Sequence, residues 1–331
     1  FTTGEHRLTL GLQGNQMLAV DDQLSYRLSV DPDLRHSTSH ALSWTLPLAA
    51  RHLLTVSLNA SRLKGRLPAP FDLTGRSEGA SVRYEVPLRL TGTWTDSLFA
   101  SFDYKRSDNN LLFSDTPVND TVTEIGQFSA GYQATAQDTY GQTRGQLRAT
   151  WSPGKLFAAH TDAAFEPARP GATARYTVLQ LQLDRTTPVP IGTWVSSLTA
   201  QWASANLLGS EQLAAGGSGT VRGFREGATF GDGGWVWRND WRLPAWQPVE
   251  GSALSVEAGL FIDAARLRVH QPLAGEPSHR RLASAGLSVQ AGLPRGLSVA
   301  FSWGRRLRSD VVSQARGGDH GHFSLSGYWS F

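Results

Sequence analysis

Apolar and polar residues alternate along most of the chain with a period of two. The pattern begins at Leu8, Leu10 and Leu12, and similar segments recur through the last residues of the sequence. Strict alternation indicates β-strands with one apolar and one polar face. Many segments run for about ten residues, which is longer than a typical soluble strand and sufficient to cross a bilayer at a tilt. We therefore expect strands that face lipid on one side and water on the other.

The alternating segments number roughly sixteen, at about 20 residues per strand and turn, which lies within the range of bacterial outer-membrane barrels. In lipid, only a closed sheet satisfies the backbone groups of every strand. The pattern thus predicts an all-β fold, a transmembrane antiparallel β-barrel. No linker rich in proline or serine divides the chain, so we expect one domain over residues 1–331.

Aromatic residues agree with this fold. Tryptophans lie near predicted strand ends or at outward positions, as in interfacial girdles, although packing in a soluble core would also use them. These residues are Trp44, Trp94, Trp151, Trp194, Trp235 and Trp241.

The composition narrows the possible functions. The chain contains no cysteine, which suits a protein that crosses an oxidising compartment unfolded. Its net charge is +3 and it has no run rich in lysine or arginine, so no nucleic-acid partner is expected. No apolar stretch reaches the roughly 18 residues of a membrane-spanning helix. Phe1 follows no methionine and no signal peptide, so we expect a mature or truncated product.

No motif for catalysis or cofactor binding is evident. The glycines at 216–219 are not followed by the Gly-Lys-Ser/Thr of a phosphate loop, and no Gly-x-Ser-x-Gly nucleophile motif occurs. His320 and His322 follow Asp319 in a predicted outer loop, where two imidazoles and one carboxylate without further ligands are usually solvated. We therefore expect no enzyme, no cofactor and no metal.

The final residues have the pattern of a closing barrel strand. Phe323, Leu325, Trp329 and Phe331 share one face, and serines occupy much of the other. A terminal strand that ends in an aromatic residue resembles the recognition signal of outer-membrane barrels, which assembly machinery captures by pairing with an exposed edge. The expected partners are therefore the barrel-assembly machinery and outer-membrane lipid and lipopolysaccharide. An ordinary amphipathic strand is the alternative.

The least repetitive stretch, residues 210–227, carries the motif Val221, Arg222, Gly223 and Phe224 after two glycines. This stretch resembles the sixth extracellular loop of two-partner-secretion transporters, the TpsB proteins, whose superfamily also contains the assembly factor BamA. Further matching segments extend the resemblance over most of the chain. They are residues 22–25 (Asp-Gln-Leu-Ser), 238–240 (Arg-Asn-Asp) and 261–263 (Phe-Ile-Asp).

The resemblance implies that the loop folds back into the barrel and that Arg222 pairs with an inward aspartate on the thirteenth strand, here Asp263. The alternation places Asp263 on the polar phase with Glu257, and a carboxylate in a narrow lumen needs a partner such as a two-pronged guanidinium. One residue departs from the family pattern. Ala265 stands where the family usually has glycine, and its methyl group affects how closely the loop packs.

Arg238, Asp240 and Arg242 form a second inward row, which either lines the channel or holds the inserted loop. The resemblance also implies a plug helix and two periplasmic POTRA domains ahead of the barrel, and nothing in this sequence matches them. The function that it implies is export of a secreted, unfolded, β-rich TpsA-like exoprotein through the bacterial outer membrane. A BamA-type assembly factor and a passive solute porin are the alternatives.

Overall fold

The structure, a computed structural model, describes residues 8–33, 36–65, 71–113, 116–248, 254–292, 297–310 and 320–327. Within these residues, fifteen strands form one sheet in which each strand pairs with its neighbours in order, and every pair whose register is described is antiparallel. Their number lies close to the sixteen that the alternation predicts.

The first eight strands of this sheet are β1 (Leu8–Asn15), β2 (Gln23–Val30), β3 (Ser37–Pro47), β4 (Leu53–Gly65), β5 (Phe71–Thr91), β6 (Trp94–Phe113), β7 (Thr116–Asp138) and β8 (Gly141–Pro153). The other seven are β9 (Arg175–Pro188), β10 (Thr193–Ala203), β13 (Gly233–Arg242), β14 (Ser255–Arg268), β15 (His279–Gly292), β16 (Leu297–Ser309) and β17 (His320–Gly327). A separate hairpin pairs β11 (Leu213–Ala215) with β12 (Thr229–Gly231).

Two predictions about strand limits are wrong in detail. The strands β5, β6 and β7 are 21, 20 and 23 residues long, about twice the ten residues of many alternating segments. In β5 the pairing continues through polar residues, because Thr74, Arg76 and Glu78 lie in register with β4. His320 and His322 belong to β17 and pair in register with Gly304 and Ser302, so they do not lie in an outer loop.

Helices are short. The described residues include a 3₁₀ turn at Ala49–Arg51 and α1 at Asp162–Phe165, which begins after Thr161, whose hydroxyl accepts the N–H of Ala164. No helix in the described part of the chain is long and apolar enough to span a membrane.

The chain divides into two compact units. Unit 1 comprises Phe1–Leu90, Asp96–Tyr132 and Arg148–Thr177, and unit 2 comprises Thr91–Thr95, Gln133–Leu147 and Val178–Phe331. In unit 1, one face of the strands is polar, since Arg148 donates to Asp103 at 2.9 Å and to Ser129 at 3.0 Å. The opposite face is aromatic, with the Phe128 ring between those of Phe102 and Trp151.

Unit 2 shows the same alternation more sharply. Along β14, Leu260 and Ile262 are about half exposed, whereas the alternate residues Phe261 and Asp263 are buried. The exposed side chains are apolar and the buried face carries the carboxylate, which is the reverse of a water-soluble sheet. Asp263 therefore lies on the face that the alternation predicts. Its strand is the twelfth of the described sheet, one fewer than the family pattern implies.

Candidate functional site: the loop between β10 and β13

The loop between β10 and β13 is held against one face of the strands in unit 2. The hairpin of β11 and β12 forms its two arms, and the residues between them form its tip. Glu226 accepts hydrogen bonds from the backbone N–H and the hydroxyl of Ser218, both at 2.7 Å, and so closes the tip upon itself. The tip is thus held in one conformation by its own hydrogen bonds.

Arg222 is the most heavily bonded side chain of the tip. Its Nε and Nη2 atoms donate to the two carboxylate oxygens of Asp263, each at 2.7 Å, and its backbone N–H donates to the same carboxylate at 3.1 Å. Nη1 donates to Asp240, and the guanidinium lies 3.7 Å above the ring of Phe261. Arg222 is 6% exposed and Asp263 is completely buried.

Electrostatics support a charged pair. Burial by itself lowers the pKa of Arg222, but the hydrogen bonds to Asp263 and Asp240 outweigh this effect and raise the pKa above its ordinary value. The guanidinium therefore remains charged, and two carboxylates face one cation.

Gly223 brings the loop backbone into contact with β16. Its φ of +85° favours glycine, and a Cβ there would lie 2.5 Å from the carbonyl oxygen of Gly304. The carbonyl of Gly223 accepts a hydrogen bond from Nε of Arg306 at 2.8 Å. Two glycines facing each other allow the two backbones to touch.

Val221 and Phe224 flank this contact with apolar packing. They belong to one buried cluster with β-strand side chains and the loop arms, namely Leu213, Ala215, Val236, Ala265, Leu267 and Leu282. Ala265, at the position where the family pattern has glycine, is 3% exposed and contributes its methyl group to this cluster. The Arg222–Asp263 contact forms alongside it.

The other predicted lumen residues separate into two pairs. Asp240 binds Arg222, and Arg238 donates to the carbonyl of Gly219 in the tip at 3.2 Å. Arg242 and Glu257 lie 4.0 Å apart, are more exposed, and do not contact the loop among the described residues. All four line a cleft of about 360 Å³ next to Arg222.

The sequence did not reveal the residues that fix the base of the loop. Asp232 is 1% exposed and accepts the backbone N–H groups of Leu207 and His270, both at 2.9 Å. Asn206 exchanges two 2.8 Å hydrogen bonds with the backbone of Gln271. The sequence shows only a polar residue near each end of the loop, Asn206 after β10 and Asp232 before β13. Such residues fit a loop anchor and a solvated turn equally well.

The terminal strand is partly described. The backbones of Phe323 and Leu325 pair with Phe301 and Val299 in β16, whereas Trp329 and Phe331 lie outside the described residues. A group of possible metal ligands, Asp31, Asp33 and His36, closes the turn before β3, where Asp31 accepts the backbone N–H groups of His36 and Ser37.

Comparisons with known proteins identify the family and the fold of this chain. The family model described as "Haemolysin secretion/activation protein ShlB/FhaC/HecB" matches residues 2–291. The outer membrane transporter CdiB of Dickeya dadantii is 26% identical over 312 residues, which cover 91% of this chain and 52% of that protein. The chain thus spans about half the length of this relative.

Solved structures show the same fold. CdiB from Escherichia coli superposes with a TM-score of 0.82 at 19% identity, covering 96% of this chain and 58% of that chain. CdiB from Acinetobacter baumannii gives 0.74 at 19% identity, covering 96% and 56%. BamA from Haemophilus ducreyi lacking POTRA domains 1–3 gives 0.64 at 14% identity, covering 97% and 67%. The predicted antiparallel β-barrel fold and the predicted two-partner-secretion family are confirmed. The chain belongs to the haemolysin secretion/activation protein family ShlB/FhaC/HecB and is a β-barrel of the bacterial outer membrane.

Proposed function

We propose that the chain forms the translocation pore through which an unfolded, β-rich partner protein passes from the periplasm to the cell surface. The family description as secretion proteins and the transporter relative support this function over catalysis. The observation that carries it is the loop tip, which is bound to the buried carboxylate of Asp263. A pore that admits a polypeptide needs such a closure at rest.

The loop acts in this proposal as a plug or scaffold. Four strand residues hold its tip through polar contacts, namely Asp263, Asp240, Arg238 and Arg306. Passage of a partner requires displacement or reordering of the loop. No nucleotide is available beyond the inner membrane, so folding of the passenger outside the cell supplies the driving force.

The remaining inward charges then serve the passenger. Arg242 and Glu257 are 48% and 37% exposed at the side chain and lie in the cleft beside Arg222. Charges of both signs on a wet surface keep an unfolded chain solvated without binding it tightly. The proposed partners are a secreted TpsA-like exoprotein, outer-membrane lipid and lipopolysaccharide, and the barrel-assembly machinery. The machinery would capture the terminal strand that contains Phe323, Leu325, Trp329 and Phe331.

The two alternatives are less well supported. A BamA-type assembly factor shares the fold, but the match to BamA has a lower TM-score than either match to CdiB. A passive solute porin has no use for a loop tip that is bonded to four strand residues.

A secretion assay tests the proposal. The full-length protein that contains this chain would be expressed with the large secreted protein encoded beside it, and surface delivery would be compared between the parent, Arg222→Ala and Asp263→Ala. Arg185→Ala is a matched control, because Arg185 forms a two-pronged pair with Asp138 and makes no hydrogen bond to the loop. We expect reduced export in the first two variants only. Normal export in both would contradict the role of the loop contact, and absence of export by the parent would contradict the function.

A further inference from the structure

The outer face of β14 and β15 changes abruptly from apolar to basic. On β14 the outward side chains are apolar up to Ala264 and are then Arg266 and Arg268. On β15 the outward side chains Leu287, Ala285 and Ala283 are followed by Arg281 and His279. The change occurs at the same level on both strands, because Ala264 pairs with Ala283 and Arg266 pairs with Arg281. We name Arg266, Arg268, His279 and Arg281 the outer basic patch.

We propose that the outer basic patch binds the phosphate groups of the glycolipid that forms the outer leaflet of the outer membrane. The inference rests on the location of the barrel in that membrane and on the extracellular position that the resemblance to TpsB proteins implies for the loop between β10 and β13. It does not depend on what the pore transports. The patch lies at this end of the sheet, since Arg268 pairs with Gly233, the first residue after the loop.

Two cations of the patch face each other with little counter-charge. Arg266 lies directly opposite Arg281, and Arg268 lies opposite the imidazole of His279. Like charges at directly opposed positions of neighbouring strands destabilise a sheet. Asp310 pairs with Arg281 at 2.9 Å, but within the described ranges no carboxylate pairs with Arg266 or Arg268. An external anion would relieve this repulsion, and guanidinium groups bind phosphate through two parallel hydrogen bonds.

A cleft lies beside the patch. It has a volume of about 430 Å³, and Trp202, Trp235, Arg266 and Arg268 are among the residues that line it. Gly233 and Gly234 also line it and contribute only backbone atoms. Asp232 also borders the cleft, but its carboxylate is buried and accepts backbone N–H groups.

The surroundings favour a lipid over a soluble anion. Trp202 and Trp235 are 53% and 37% exposed, as expected for aromatic rings at a membrane interface. Below the patch, Ile262 and Leu287 are half exposed on the same face and would contact acyl chains. Basic pockets at this level of a membrane protein bind anionic headgroups, whose phosphates lie beside the arginines while their chains follow the apolar wall.

The test measures lipid binding by the full-length protein purified in detergent. The probe is lipid A with two phosphates, and its affinity is compared between the parent and Arg266→Gln/Arg268→Gln. The control Arg51→Gln/Arg175→Gln removes two exposed arginines elsewhere. We expect the patch variant to bind about thirtyfold more weakly, because each arginine near a charged lipid surface contributes about a fivefold factor. The control should bind as the parent does.

Further binding measurements complete the test. Arg266→Lys/Arg268→Lys should retain most of the affinity, and resistance of the barrel to unfolding in detergent at room temperature verifies that each variant is folded. Equal binding of dephosphorylated lipid A would overturn the proposal. Phosphatidylglycerol bound as tightly as lipid A, or inorganic phosphate displacing lipid A at equal concentration, would also overturn it. Unchanged affinity in the folded glutamine variant would have the same consequence.

Discussion

Replacing Asp263 with alanine should release the tip of the loop. Asp263 accepts three of the four hydrogen bonds that Arg222 makes to carboxylates, and only the contact with Asp240 would remain. Breaking a buried ion pair from one side costs about 3–5 kcal/mol, because the other charge stays buried without its partner. Since Asp240 still faces the guanidinium, we expect the lower end, about 3 kcal/mol. The displaced fraction of loops should therefore rise about 150-fold.

A single engineered thiol can measure this displacement. The chain has no cysteine, and Val221 is completely buried beside Arg222, so Val221→Cys places one protected thiol under the loop. The rate of maleimide labelling then reports how often the loop leaves the strands. Labelling of Val221→Cys/Asp263→Ala should be up to about 150-fold faster than that of Val221→Cys alone. Asp138→Ala in the same background is the matched control, since it breaks an arginine–aspartate pair outside the loop.

Equal labelling rates in the folded Asp263 variant and its control would show that Asp263 does not hold the loop closed. A double-mutant cycle sharpens this outcome. If the effects of Arg222→Ala and Asp263→Ala simply add to within about 0.5 kcal/mol, the two side chains do not stabilise the closed loop through each other.

Three further changes test other parts of the site. Gly223→Ala should displace the loop, because its Cβ would lie 2.5 Å from a carbonyl oxygen. Gly92→Ala, which has a similar φ and open space around its Cβ, should leave the loop in place. Maleimide labelling of Val221→Cys measures both effects. Asp232→Ala leaves one buried and one partly buried N–H group without an acceptor, so amide exchange at Leu207 and His270 should accelerate, by about 1–3 kcal/mol of local opening. Ala265→Gly should loosen the loop by about 1 kcal/mol, and faster labelling of the buried thiol would show it.

The fold could be predicted largely from the sequence because successive residues of a barrel strand face outward and inward in turn. Leu260 and Ile262 face outward and Asp263 inward, as a period of two requires. Strand length could not be predicted in the same way. Where both faces of a strand meet water, alternation weakens while pairing continues, so β5 to β7 are about twice as long as the ten-residue alternating segments.

The candidate site was predictable only in part. The resemblance brought Arg222 and Asp263 together, although 41 positions separate them. It did not indicate that Asp240 shares the guanidinium or that Gly304 faces Gly223, because neither contact follows from strand phase. Asp232 was missed for a different reason. Its role depends on backbone N–H groups from two distant segments, and backbone groups carry no signature in a sequence.

The identity of the tip residue follows from the directions of its contacts. Asp263 takes two parallel N–H groups, Asp240 takes a third from the opposite edge, and the ring of Phe261 lies against the flat face. A planar guanidinium has donors along its edges and an apolar face, so it satisfies all three neighbours at once. A lysine ammonium carries the same charge on a single atom and cannot reach two carboxylates in these directions while it stacks on a ring. The closed loop therefore depends on shape as well as on charge, and Arg222→Lys should retain the charge while losing much of the closure.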